Sequence, residues 1–174
     1  MTMGTAASRA RWAQQVRTSD AKDEWITPPH IPAALGRFDL DPCTPDIQIH
    51  SYATSRFCER HDGLAQPWEG RVWLNPPYGK QMPLWIKKLA KHGNGIALVF
   101  ARTETLVFRE WVYPYADGLF MIEGRLRFLN VDGSLAPTTA GAPSCLIAYG
   151  MNNLRHLRNC GLKGRLLRVD KGPD

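Results

Sequence analysis

Neither glycine-rich phosphate fingerprint occurs in the 174 residues. There is no GxGxxG and no GxxxxGKS/T, so a dinucleotide fold or a P-loop has no signal here. No serine sits on a GxSxG elbow, which removes the commonest acyl-transfer design. There is no CxxC. Cys43, Cys58, Cys145 and Cys160 are widely spaced, and Cys58-x2-His61 is only half of a zinc site, so no metal is expected. No apolar run approaches the roughly 18 residues of a membrane span. The opening MTMGTAASRARWAQQVRTSD lacks the apolar core of a signal peptide. A cytosolic protein with no membrane partner is expected. Internal repeats and low-complexity linkers are missing too, which points to one domain.

What is present reads as globular, with 44% hydrophobic and 22% charged residues. The formal charge of +6 is uneven: residues 1–22 carry +3, residues 151–174 carry +4, and the middle is −1. This divides the chain into a basic N-terminal arm (1–22), a near-neutral body (23–150) and a basic C-terminal tail (151–174). Basic ends suit a polyanion held through its phosphates, and equally suit solvated, frayed termini.

Within the body, strands and helices alternate. FDLDPC (38–43) reads as a strand stopped by Pro42, and GRVWL (70–74) as a second strand. MPLWIKKLAKHG reads as a helix with Pro83 in its first turn. Trp85, Ile86, Leu89 and Ala90 form its apolar face, Lys87, Lys88 and Lys91 its solvated one, and Gly93 its stop. GIALVFA (95–101) is apolar throughout, as a strand covered on both sides must be. TETLVFREWVYPYA reads as a helix capped by Thr103. In GLFMIEGRLRFLN, Phe120, Ile122, Leu126 and Phe128 alternate with Glu123, Arg125 and Arg127, with a bend at Gly124. SCLIAYG is a last apolar strand. The expected class is α/β, with a mostly parallel sheet and an antiparallel edge strand late in the chain.

Ligands of such sheets lie beyond the carboxyl ends of the strands. Three polar clusters fall there: Asp39/Asp41, Asn75–Tyr78 and Arg102-Thr103-Glu104. Asn75-Pro76-Pro77-Tyr78 does more than stop a strand. The Asn75 amide oxygen and the Pro76 carbonyl are two acceptors held by rigid prolines, which suits the two hydrogens of an amine. Tyr78 adds a ring face on which a base can stack, and Gly79 turns the chain away without covering the site. The pattern suits an exocyclic amine such as that of adenine or cytosine, flipped out of a duplex.

Set beside DEWITPP, FDLDPC, HDGL, WEGRVWLNPPYG, FARTET and GRLRF, the NPPY loop resembles the compact, phage-type (Dam-like) DNA N6-adenine methyltransferases over residues 23–150. The resemblance implies a Rossmann-like fold, S-adenosylmethionine as methyl donor and DNA as partner. If the chain is phage-encoded, it implies work in the cytoplasm of a bacterial host. It assigns Trp25, Thr27 and Pro28 to an element lying against the cofactor. Asp41 and Pro42 fall near its methionine part, and Asp62, Gly63 and Leu64 face its adenine. Asn75, Pro76, Pro77 and Tyr78 become the catalytic loop, with Asn75 also beside the cofactor. Arg102 and Arg125 fall in similar motifs and are assigned to DNA. Only 20 residues separate Asp41 from Asp62, which implies an abbreviated first helix and leaves Glu59 as the candidate acid for the ribose. Methyl transfer to RNA or to a protein glutamine is the alternative, followed by a non-catalytic DNA-binding protein.

Overall fold

The computed structural model describes residues 25–46 and 50–171; the arm expected over 1–22 lies outside the described residues. Seven strands form one sheet: β1 (Phe38–Thr44), β2 (Ala53–Cys58), β3 (Val72–Leu74), β4 (Gly95–Phe100), β5 (Gly118–Ile122), β6 (Ser144–Tyr149) and β7 (Gly164–Arg168). The helices are α1 (His30–Ala33), α2 (Met82–His92) and α3 (Met151–Asn159).

The apolar run of β4 serves both faces of the sheet. Ala97 and Val99 enter one hydrophobic cluster, Ile96 and Leu98 the other. β6 repeats this, with Cys145, Ile147 and Tyr149 on the first face and Leu146 and Ala148 on the second. The first face is closed by α2 through Trp85, Ile86, Leu89 and Ala90, which share one stripe at helical spacing. Pro83 opens that helix, and Gly93, at φ +73°, ends it. The second face is closed by Leu154 and Leu157 of α3, with Ile31, Leu35, Leu126 and Phe128. A sheet between two helical layers is the α/β class expected.

The strand order is β2-β1-β3-β4-β6-β5-β7. β1 runs parallel to β2 and β3, and β3 parallel to β4. β6 is antiparallel to both of its neighbours, β4 and β5, and β7 is antiparallel to β5. Five strands therefore share a direction and two oppose it, a mixed sheet compatible with a Rossmann-like arrangement. The antiparallel edge was expected at the last apolar strand, 144–150, which is β6; the antiparallel edge strand is instead β7, in a segment read as a tail. A second reversed strand, β6, lies inside the sheet, because 123–143 returns the chain to the neighbour of β5 without a helical crossover. The sheet continues past residue 150, since α3 and β7 occupy the segment read as a basic tail.

Other elements depart from the sequence reading. β1 runs through Pro42 to Thr44. It pairs with β3 only at Leu40, and its register with β2 shifts between Asp41 and Thr44, so the missing N–H falls where the ladder is already broken. No helix stands between β1 and β2 among the described residues, where a short first helix was expected. The helix expected after residue 103 is shortened to 106–112 and is mostly a π turn, Phe108–Val112, closed by Tyr113 N–H to the Phe108 carbonyl at 2.9 Å and lacking a side-chain cap. β5 stops before Gly124 (φ +75°). Leu126 and Phe128 keep the alternation beyond it, and Leu129 bridges Ile26 and Leu135.

Candidate active site

The carboxyl ends of β1, β2 and β3 meet around a cavity of about 840 Å³. Pro42 lines it from β1, Glu59, Asp62, Gly63 and Leu64 from the segment after β2, and Asn75 to Tyr78 from the loop after β3. Trp25 completes the wall from the other side. Nine of the residues singled out in the sequence thus converge here, with Glu59 beside them. A shallower cleft of about 640 Å³ at the amino ends of β1 and β2 contains none of them.

The β1 side is built around Asp41. The residue is 5% exposed and sits behind the lining, where its Oδ1 accepts the Cys43 N–H at 3.2 Å. Burial pushes its pKa from 3.8 up to about 7, against weaker pulls from that N–H and from Arg56. Asp39 serves the fold instead. Its carboxylate accepts the Arg71 amide at 2.6 Å, away from the cavity.

The β2 side depends on a close approach. Glu59–His61 form a 3-10 turn ended by Asp62 in the left-handed region (φ +47°), which turns the chain back toward β1. Gly63 then lies so close to the Pro42 carbonyl that a Cβ would collide with it, and the Trp85 ring is 3.2 Å from the same point. The glycine is required by packing here, not by φ. Trp68 Nε1 donates to the Gly63 carbonyl at 2.8 Å. Lys88 donates to the carbonyls of Leu64, at 2.6 Å, and Gln66, and its ammonium lies over the Trp68 ring. Lys88 therefore clamps this loop and is not part of a solvated face. Its place on the polar side of α2 carried no signal of this.

In the β3 loop, Pro76 is buried and Asn75 half-buried. Asn75 Nδ2 lies 3.4 Å from the Trp25 carbonyl, while Asn75 Oδ1 is buried with no hydrogen-bond partner. A buried acceptor left without a hydrogen bond costs about 1–3 kcal/mol. Tyr78 lies against Phe100, ring centroids 4.2 Å apart and planes 25° from parallel, and its hydroxyl is also buried and unpartnered. Trp85 Nε1 is a third buried polar atom of this wall with no partner.

Some expected residues lie elsewhere. Thr27 and Pro28 are buried outside the cavity: the Thr27 carbonyl accepts the Tyr52 hydroxyl at 2.7 Å, and the Pro28 carbonyl accepts the Ile31 amide at 3.0 Å. Arg102 is exposed at the end of β4 and does not line the cavity. Arg125 donates to the Gly141 carbonyl at 2.9 Å and to that of Ala140. Arg127 donates to the Ala136 carbonyl at 2.6 Å. These two arginines brace the 130–143 loop, whose Val131 reaches the cavity. Cys58 Sγ lies 3.0 Å from His61 Nδ1, but no group of three or more metal-ligating side chains occurs among the described residues. No helix among them is long and apolar enough to cross a membrane.

The site thus joins an unused amide oxygen, a backed tyrosine ring and a wall bearing carboxylates. The family model described as DNA N-6-adenine-methyltransferase (Dam) matches residues 14–165. No curated protein and no solved structure matches the chain.

Proposed function

The chain belongs to the DNA N-6-adenine-methyltransferase (Dam) family, and from that premise we propose that it moves a methyl group from S-adenosylmethionine to the N6 of a DNA adenine held, flipped out of the stack, by Asn75-Pro76-Pro77-Tyr78. The observation that carries this reading is the buried, unpartnered Asn75 Oδ1 at the cavity wall. An acceptor kept at that cost has a use when a donor arrives.

The cavity suits the cofactor. Its volume of about 840 Å³ lies within the range of small-molecule sites. Asp62 and Glu59 offer carboxylates to ribose hydroxyls and to positive charge, Trp25 and Trp85 offer apolar faces to the adenine, and Pro42, Gly63 and Leu64 close the wall. Asp41 supports this wall from behind, and Thr27 and Pro28 act at one remove by anchoring the segment that carries Trp25. When bound, S-adenosylmethionine supplies an electrophilic methyl group on a sulfonium.

The residues of this chain prepare the amine. Asn75 Oδ1 and the Pro76 carbonyl accept its two hydrogens, which draws the nitrogen lone pair out of conjugation with the ring. The prolines keep both acceptors fixed, so little is lost in ordering them at the moment of reaction. Tyr78 receives the base by stacking. No general base is required before attack, because the amine gives up its proton readily once methylated. Arg102 contacts DNA phosphate, Arg125 holds the 130–143 loop against the target strand, and the basic ends add sequence-independent attraction.

Labelled-methyl S-adenosylmethionine, offered separately with duplex DNA, RNA and a protein mixture, tests this reading by mass spectrometry of the products. Label in N6-methyladenine of DNA, lost with Asn75→Ala, is expected. Label confined to RNA or to glutamine overturns it.

A further inference from the structure

Tyr78 has no polar contact to fix its ring, since its hydroxyl is buried without a partner. Packing alone holds it. Phe100, the last residue of β4, lies 4.2 Å from it and 25° from parallel, and Phe128 meets it at 6.5 Å and 78°. Phe100 differs from the rest of β4, because Gly95–Val99 are buried and Phe100, at the cavity end of the strand, is only partly so. A residue serving the core alone would need volume there but not a flat face. The stacked pair makes a two-ring unit, and Tyr78 itself lines the cavity.

We infer that Phe100 is a positioning residue that fixes the Tyr78 ring as a platform for a planar nucleobase. The inference rests on the proposed function above. It extends the site from the NPPY loop to the end of β4 and makes the base receptor a stack of three rings, with Phe100 at the back and the incoming base in front. A loosened Tyr78 still touches a base, but no longer holds its amine at the Asn75 and Pro76 acceptors.

The test uses Phe100→Leu, which fills most of the space without a planar face, with Phe100→Tyr and Phe100→Trp as rescues. The Leu variant is expected to lower kcat/KM for methyl transfer to duplex DNA by about tenfold. Its dissociation constant for S-adenosylhomocysteine should stay within about twofold of the parent, since Phe100 is not on the cofactor side; the two aromatic variants should recover most of the loss. A Leu variant as active as the parent overturns the inference. So do aromatic variants as impaired as Leu, or an equal loss of S-adenosylhomocysteine binding, which marks a general packing defect. Should the Leu variant not fold, Phe100→Met carries the same expectations. A second readout needs no DNA. With 3-fluorotyrosine incorporated and the Tyr78 resonance assigned through Tyr78→Phe, the fluorine signal of the free protein should broaden or move in Phe100→Leu and return in Phe100→Tyr. An unmoved signal overturns the inference. A parent protein that methylates no DNA overturns the proposed function instead, and the fluorine signal still decides the stack.

Discussion

Replacing Asp41 by asparagine removes a buried charge while keeping an acceptor for the Cys43 amide. The folded chain holds the Asp41 proton up to about pH 7, whereas the ordinary value is 3.8. Between these pH values the native state binds more protons than the unfolded one. The contribution of Asp41 to stability is therefore complete below about pH 4 and is lost as pH rises through about 7. At about 1.36 kcal/mol per pH unit, the loss is on the order of 4 kcal/mol. Urea unfolding of the parent and Asp41→Asn across pH 4 to 8.5 measures it as a difference, in which other titrating groups cancel. The two should be nearly equal at pH 4, diverge between pH 4 and 7 with Asn the more stable, and run parallel above about pH 8. A gap independent of pH, or a parent more stable than Asn at pH 8, refutes the argument, because it means the carboxylate is solvated or paired.

Substitutions at Gly63, Lys88 and Tyr78 also bear on the cavity wall. Gly63→Ala drives a methyl group into the Pro42 carbonyl; overpacking of this kind costs about 1–3 kcal/mol and should lower the melting temperature by roughly 2–12 °C for a chain this long, while an unchanged melting curve shows that the loop moves freely. Lys88→Met leaves the Leu64 and Gln66 carbonyls without their donor and should weaken S-adenosylhomocysteine binding about tenfold by titration calorimetry, whereas Lys87→Met, on the exposed side of α2, should not. Tyr78→Phe removes a hydroxyl that has no partner, so urea unfolding should show equal stability or a gain of up to about 1 kcal/mol. Methyl transfer by that variant should stay within about threefold of the parent, while Tyr78→Ala, which loses the stacking ring, should fall by at least about tenfold.

The parts of the fold governed by hydrophobic period were legible. The unbroken apolar run 95–101 has to serve two faces, and the spacing of Trp85, Ile86, Leu89 and Ala90 has to make one stripe. β2 escaped because Ala53–Cys58 shows no alternation; half of its residues are exposed, and the ladder with β1 holds it. β7 escaped because an edge strand with exposed arginines looks like a solvated tail until β5 is seen beside it. In the site, rigid and close-packed positions were readable: the prolines after Asn75, and an Asp-Gly pair where only glycine fits. Contacts made by long polar side chains were not. Lys88 on loop carbonyls and Arg125 on the 140–141 backbone depend on the loop folding against them, and no spacing rule encodes that. Thr27 and Pro28 do not line the cavity; their backbone carbonyls accept from Tyr52 and Ile31.

The most direct measurement is nucleoside analysis of DNA from a bacterial host lacking adenine methylation, after expression of the full chain or of Asn75→Ala. N6-methyldeoxyadenosine should accumulate with the parent chain and fall to background with the variant, at equal amounts of folded protein. Host DNA without the modified nucleoside in either case, or with equal amounts in both, contradicts the account of Asn75 as the acceptor of the adenine amine.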